Sequence, residues 1–181
     1  MKKNVLVITG SPRNGGNSDL LADAFIEGAQ SAGHNVTKWK AAEKNIGGCH
    51  ACETCFSTGK ACSFDDDFND LAPLLAKADV LVWATPVYWF SYPAQIKAAI
   101  DKMYSFYAGQ RPLGIKESLL LTCAEMEDMS VFDGVKATYN HIVKFLQWTD
   151  RGCLAVPAVR KPGDVIATTA LHKARALGSD L

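Results

Sequence analysis

The chain has 181 residues, 48% hydrophobic and 21% charged, the balance of a folded protein large enough to bury a core without a disulfide or metal staple. Nineteen Lys and Arg offset nineteen Asp and Glu, so neither nucleic acid nor an anionic membrane is an expected partner. The apolar run after Lys2 and Lys3 stops at Gly10-Ser11-Pro12, and Ala78–Phe90 is broken by Asp79, Thr85 and Pro86. Neither suits a signal segment or a membrane span. A cytoplasmic location is therefore expected, and the six cysteines read there as thiols or metal ligands rather than disulfides.

In chain order, Val5–Thr9 reads as a buried parallel strand, a short β-branched apolar run. Gly10–Gly16 is a loop, and Ser18–Ala32 has helical apolar spacing with Gly33 at its C-cap. Val36–Lys40 is a second strand. Ala41–Phe64 has no period and carries four cysteines. Asp65–Ala78 reads as a helix whose acidic start suits the helix dipole better than a metal site. Val80–Ala84 is a third strand, Ala94–Phe106 a helix, Ser118–Thr122 a fourth strand, Gly134–Trp148 a helix, Leu154–Val159 a fifth strand and Thr168–Leu177 a closing helix. Strands alternating with helices predict a parallel sheet covered on both faces by right-handed crossovers. No repeat or linker divides the chain, so one domain over 1–181 is expected, with a cysteine-rich loop at 44–64 inserted after the second strand.

The first strand runs into Gly10-Ser11-Pro12-Arg13-Asn14-Gly15-Gly16-Asn17-Ser18 and then a helix. A helix N-terminus offers unpaired N–H groups and a positive dipole end, a ready anion site. Glycines let the backbone come close, Ser11, Asn17 and Ser18 add neutral donors, and Arg13 adds a charged one. The P-loop and dinucleotide fingerprints are both missing. The plainer alternative is an ordinary capping turn. After the third strand, Thr85-Pro86-Val87-Tyr88-Trp89-Phe90-Ser91-Tyr92-Pro93-Ala94 should lie beside the first loop, since ligands sit outside the carboxyl ends of parallel strands. Its aromatics suit a flat ring, a core or a subunit contact equally, and its tight Pro86 turn should free backbone N–H groups near Val87–Trp89.

Cys49, Cys52, Cys55 and Cys62 form C-x2-C-x2-C-x6-C. This spacing admits an iron–sulfur site, a zinc site or a metal-free thiol loop. Cys123 and Cys153 read as buried small hydrophobes. His34, His141 and His172 are isolated, and Lys97 and Lys102 read as a solvated helix face.

Taken together, the two loop motifs resemble the NAD(P)H-dependent FMN reductases, and among them the iron–sulfur flavoproteins, over nearly the whole chain. The resemblance implies a flavodoxin-like three-layer sandwich of class α/β, with a five-stranded parallel sheet in the order 2-1-3-4-5. It implies that Ser11, Arg13, Asn17 and Ser18 hold the FMN phosphate. Thr85, Pro86, Val87, Tyr88, Trp89 and Ser91 then line the isoalloxazine, with Thr122 and Cys123 closing the other side. It further implies a [4Fe–4S] cluster on Cys49, Cys52, Cys55 and Cys62, and a homodimer or homotetramer. NAD(P)H would be the electron donor and a flavin, quinone, nitro or azo compound the acceptor, with no catalytic side chain. A non-enzymatic carrier fed by ferredoxin is the rival reading.

Overall fold

Apolar runs too short for helices form the middle of the molecule. The computed structural model describes residues 1–181. Strands β1 (Asn4–Thr9), β2 (Asn35–Lys40), β3 (Val80–Pro86), β4 (Glu117–Cys123) and β5 (Thr149–Val156) pair in parallel in the order β2-β1-β3-β4-β5. The inner strands β1, β3 and β4 are buried almost end to end, whereas the edge strands β2 and β5 are largely part-exposed. That difference follows from cover on both faces of the sheet.

Alternate residues of the inner strands supply two separate cores, as the two-residue strand period requires. Val5, Val7, Val82 and Leu121 pack with α1 (Asn17–Ser31) and α6 (Ala170–Ser179). Leu6, Ile8, Trp83 and Leu120 pack on the opposite face with α2 (Phe68–Lys77), α3 (Ala94–Lys102) and α5 (Asp133–Phe145). The short α4 (Tyr104–Ala108) follows α3 directly. Thr9 pairs with Ala84 and Thr85 with Thr122, so the inner strands deliver their following loops to one edge of the sheet.

Several sequence expectations shift. The helix expected over Ala94–Phe106 divides at Met103, where the backbone tightens and the Phe106 N–H donates to the Met103 carbonyl at 3.0 Å. Strand β5 starts at Thr149 rather than Leu154, because an edge strand tolerates the polar Thr149-Asp150-Arg151 that hides it from an apolar-run reading. Cys153 is exposed on that edge strand instead of buried. Lys102 is the largest correction. It is not on a solvated face but 3% exposed, with its ammonium paired to Asp66.

Helices α1 and α6 approach closely at two glycines. A Cβ on Gly28 would collide with the Arg175 carbonyl, and one on Gly178 with the Phe25 carbonyl. Backbone atoms cannot swing aside as a side-chain tip does, so the helices would have to separate. Gly178→Ala is therefore expected to lose about 1–3 kcal/mol of stability, read from the midpoint of urea unfolding. An unchanged midpoint would refute the close crossing.

Candidate functional site

Strand β1 hands the chain to the loop Gly10–Gly16, which ends at the N-cap of α1. No side chain caps this helix, and the backbone N–H groups of Asn17 and Asp19 reach no acceptor in the chain, while that of Ser18 meets only the Cys123 sulfur. Donors left without acceptors inside a protein are rare and costly, and this first turn is made of buried residues, two of which line the cleft described below. A Cβ at Gly16 would stand 3.0 Å from both the Arg13 carbonyl and the Ser11 hydroxyl, so a larger residue would crowd the loop. The first-turn acid does not repel an anion unopposed. Asp19 accepts the Gly15 N–H at 3.0 Å and pairs with Lys38 at 2.6 Å.

Asn17 has a different task from the one its sequence position suggests. Its amide donates to the carbonyls of Val159 and Lys161 at 3.2 and 2.9 Å, and its oxygen accepts the Val165 N–H at 3.2 Å. The side chain thus ties the segment after β5 to the start of α1. Only its backbone N–H remains for a ligand.

The segment after β3 makes a tight hairpin. Tyr88 and Ser91 exchange N–H···O bonds of 2.9 and 3.0 Å around Trp89 and Phe90. Both central residues are left-handed, with φ of 48° and 64°, a conformation that such turns normally fill with Asn-Gly. Each costs about 1–3 kcal/mol in a residue of this kind. The strain presents Trp89, 95% exposed, beside the cleft. Gly134 at the start of α5 makes room for the Phe90 carbonyl, which a Cβ there would strike. The Val87 N–H is taken by the Cys123 carbonyl at 2.9 Å and the Tyr88 N–H by Ser91. The free amides of this loop are therefore those of Trp89 and Phe90, and of the amides expected at Val87–Trp89 only that of Trp89 remains.

These loops enclose a cleft of about 730 Å3 at the carboxyl edge of the sheet, within the range of small-molecule sites. Ser11, Arg13, Asn17, Ser18, Pro86, Val87, Tyr88, Trp89 and Cys123 all line it. Thr85, Ser91 and Thr122 do not. Thr85 is buried and donates to the Pro86 carbonyl, Ser91 closes the hairpin, and Thr122 lies wholly within the sheet. Phe90, whose ring suits a ligand, a core or a subunit contact equally on sequence, also lines the cleft; reading the sequence missed the wall from Ala124 to Met126, and Val159, Arg160 and Pro162 beyond β5. The rule that ligands sit beyond the carboxyl ends of parallel strands points to the last group as well, since it follows β5. Burial pushes the Cys123 thiol up to about 12, against a smaller opposing effect of its Ser18 contact.

A second, smaller hollow is lined by all four cysteines of the loop, Cys49, Cys52, Cys55 and Cys62, together with Lys102 and Ser105. Left-handed turns at Ala51, Glu53 and Phe56 fold the loop around it. Hydrogen bonds from the Thr54 and then the Ser63 hydroxyl lower the Cys52 thiol, while burial and the neighbouring thiols raise Cys55. No three His, Cys, Asp or Glu side chains are gathered closely enough to hold a metal ion. The thiols share a hollow without converging on one point.

An open helix end facing an aromatic-walled cleft, at the carboxyl edge of a parallel sheet ordered 2-1-3-4-5, defines an α/β protein of the flavodoxin-like kind. A sequence model described as NADPH-dependent FMN reductase matches residues 3–131, and the chain belongs to that family. It is 36% identical over 105 residues to an iron-sulfur flavoprotein of Archaeoglobus fulgidus, covering 58% of this chain and 46% of that protein. It is 34% identical over 95 residues to an iron-sulfur flavoprotein of Methanosarcina thermophila, covering 52% and 49%. The chain thus matches about half the length of these curated relatives. Among solved structures, an NAD(P)H:quinone oxidoreductase from Methanothermobacter marburgensis superposes with a TM-score of 0.80 at 18% identity, over 99% of this chain and 96% of that one. It shares the fold.

FMN suits this cleft on three observations. The first turn of α1 holds donors without acceptors, Gly16 leaves room in the loop, and aromatic residues form one wall. The folded protein keeps the Cys123 proton that the unfolded chain releases near pH ~8.5. Alkaline pH therefore favours unfolding through this group. Wild-type stability should fall about 2 kcal/mol more than that of Cys123→Ala between about pH 8.5 and 10.5, as measured by urea unfolding. Parallel profiles would contradict a buried, protonated thiol.

Proposed function

We propose that the chain binds FMN in the cleft and works as a flavin-dependent oxidoreductase that takes electrons from NAD(P)H and passes them to a small acceptor. The observation that carries this reading is the uncapped, donor-rich start of α1 set opposite an aromatic hairpin. Arg13, exposed at the rim, and the Ser11 and Ser18 hydroxyls supply further donors to a phosphate, while Asn17 holds the wall formed after β5. Bound FMN supplies the redox chemistry, hydride acceptance from a nicotinamide and release of electrons. The protein binds the phosphate, orients the ring between Pro86–Phe90 and Ala124–Met126, and excludes water from one face. We assign no general acid or base. Oriented amides at Trp89 and Phe90 are placed to stabilise negative charge gained by the ring.

The four-cysteine hollow fits a [4Fe–4S] cluster by donor chemistry, because thiols are the ligands such clusters take. A cluster there would supply one-electron transfer alongside the flavin. The names of the two curated relatives support this reading. A second copy of the chain covering Trp89 would account for an indole left 95% exposed.

Stopped-flow reduction of the FMN-loaded protein by NADPH, followed by reoxidation with a quinone, tests the activity. Turnover is expected. No reduction by either nicotinamide, with ready reduction by ferredoxin, would make the chain an electron carrier. Arg13→Ala should weaken FMN binding by about 1.5–3 kcal/mol through loss of charge-assisted hydrogen bonds. Unchanged affinity by fluorescence titration would move the phosphate elsewhere.

A further inference from the structure

Beneath the cysteine loop lie two polar groups that the protein itself leaves incompletely bonded. Ser105, in α4, is 3% exposed, and its hydroxyl has no hydrogen-bond partner. A helical serine ordinarily relieves this by bonding a carbonyl one turn back; Ser105 does not. Lys102, at the end of α3, is equally buried and makes a single side-chain bond, to Asp66. An ammonium carries three N–H donors, so the others are without a protein acceptor. Both residues line the hollow that the four cysteines line, and Asp66 does not.

The Lys102–Asp66 pair is anchored rather than loose. Asp66 also accepts the Gly47 N–H at 2.9 Å and the Phe68 N–H at 3.1 Å. Three elements thus fix the carboxylate: the stretch entering the cysteine loop, the start of α2, and Lys102 itself. Of the two, Lys102 is the member that borders the hollow with the cysteines. Burying a cation and an unbonded hydroxyl side by side is costly in a protein that gains nothing from them. An anionic group with acceptor atoms in the hollow would offset both costs.

We propose that Ser105 and Lys102 are positioning residues for an iron–sulfur group held by Cys49, Cys52, Cys55 and Cys62. In this role the hydroxyl donates to a cluster sulfur, and the ammonium stabilises the group's negative charge. The inference rests on the cluster reading given above. Its consequence concerns potential rather than assembly. One electron added to the group adds one negative charge, and hydrogen bonds to sulfur together with a nearby cation stabilise that reduced state. The pair of residues raises the reduction potential.

The test uses the full chain, reconstituted anaerobically with ferrous iron and sulfide, with iron and sulfide analysis before anaerobic potentiometry followed by electron paramagnetic resonance. Ser105→Ala, which deletes only the hydroxyl, should load iron as wild type does and shift the reduction equilibrium roughly tenfold toward the oxidised form, ~59 mV downward for one electron. Ser105→Thr should restore most of that loss. Lys102→Met leaves Asp66 unpaired and can fail to fold, so the charge is tested in Lys102→Met/Asp66→Asn, which should also shift downward. The FMN potential should hold in all variants. Wild-type cluster potentials in loaded Ser105→Ala and in the double variant would overturn the inference while leaving the cluster reading intact. A wild-type chain that takes up no iron or sulfide would overturn both.

Discussion

The structure turns on one unsatisfied set of groups, the backbone N–H donors in the first turn of α1. A helix that began at the surface could give them to water. Here β1 is an inner strand, and the loop returns the chain directly onto the sheet, so the donors point into a cleft between two further loops. Without a capping side chain they are open to an acceptor from outside the chain. Sheet order then places the partners. Because β1 pairs with β3 and β3 with β4, the loops following all three strands meet at that point.

The other half of the cleft depends on stored strain. Trp89 and Phe90 occupy a turn that favours Asn-Gly, and the arrangement persists because its neighbours determine it. Val87 is bonded to β4, Tyr88 and Ser91 are bonded to each other, and Gly134 admits the Phe90 carbonyl. Such over-determined strain collects at functional sites. The cysteine hollow shows the same pattern, with non-glycine residues at positive φ at three places in a short loop and a buried Lys102–Asp66 pair beneath it.

Much of this could be read from residue order. The continuous apolar runs Val5–Thr9 and Val80–Ala84 mark buried parallel strands, and the glycine-rich loop between strand and helix marks the helix end that opens on the cleft. What could not be read depends on contacts distant in sequence. Lys102 follows Ile96 and Ala99 on α3 and has the composition of a solvated helix end, yet Asp66, thirty-six residues earlier, draws it inward. Asn17 looks like a ligand donor, but the segment after β5 takes its amide. The start of that segment was itself hidden, because the apolar run Leu154–Val159 reads as strand to its end, whereas β5 stops at Val156.

The central claim is that the start of α1 grips a phosphate, and comparing FMN with riboflavin isolates it, since the two ligands share the ring and differ only in that group. Titration calorimetry under matched conditions should give FMN an affinity at least about a hundredfold higher, the worth of two or more charge-assisted hydrogen bonds. Equal affinities would mean that the ring alone is recognised and that the open helix end serves some other purpose.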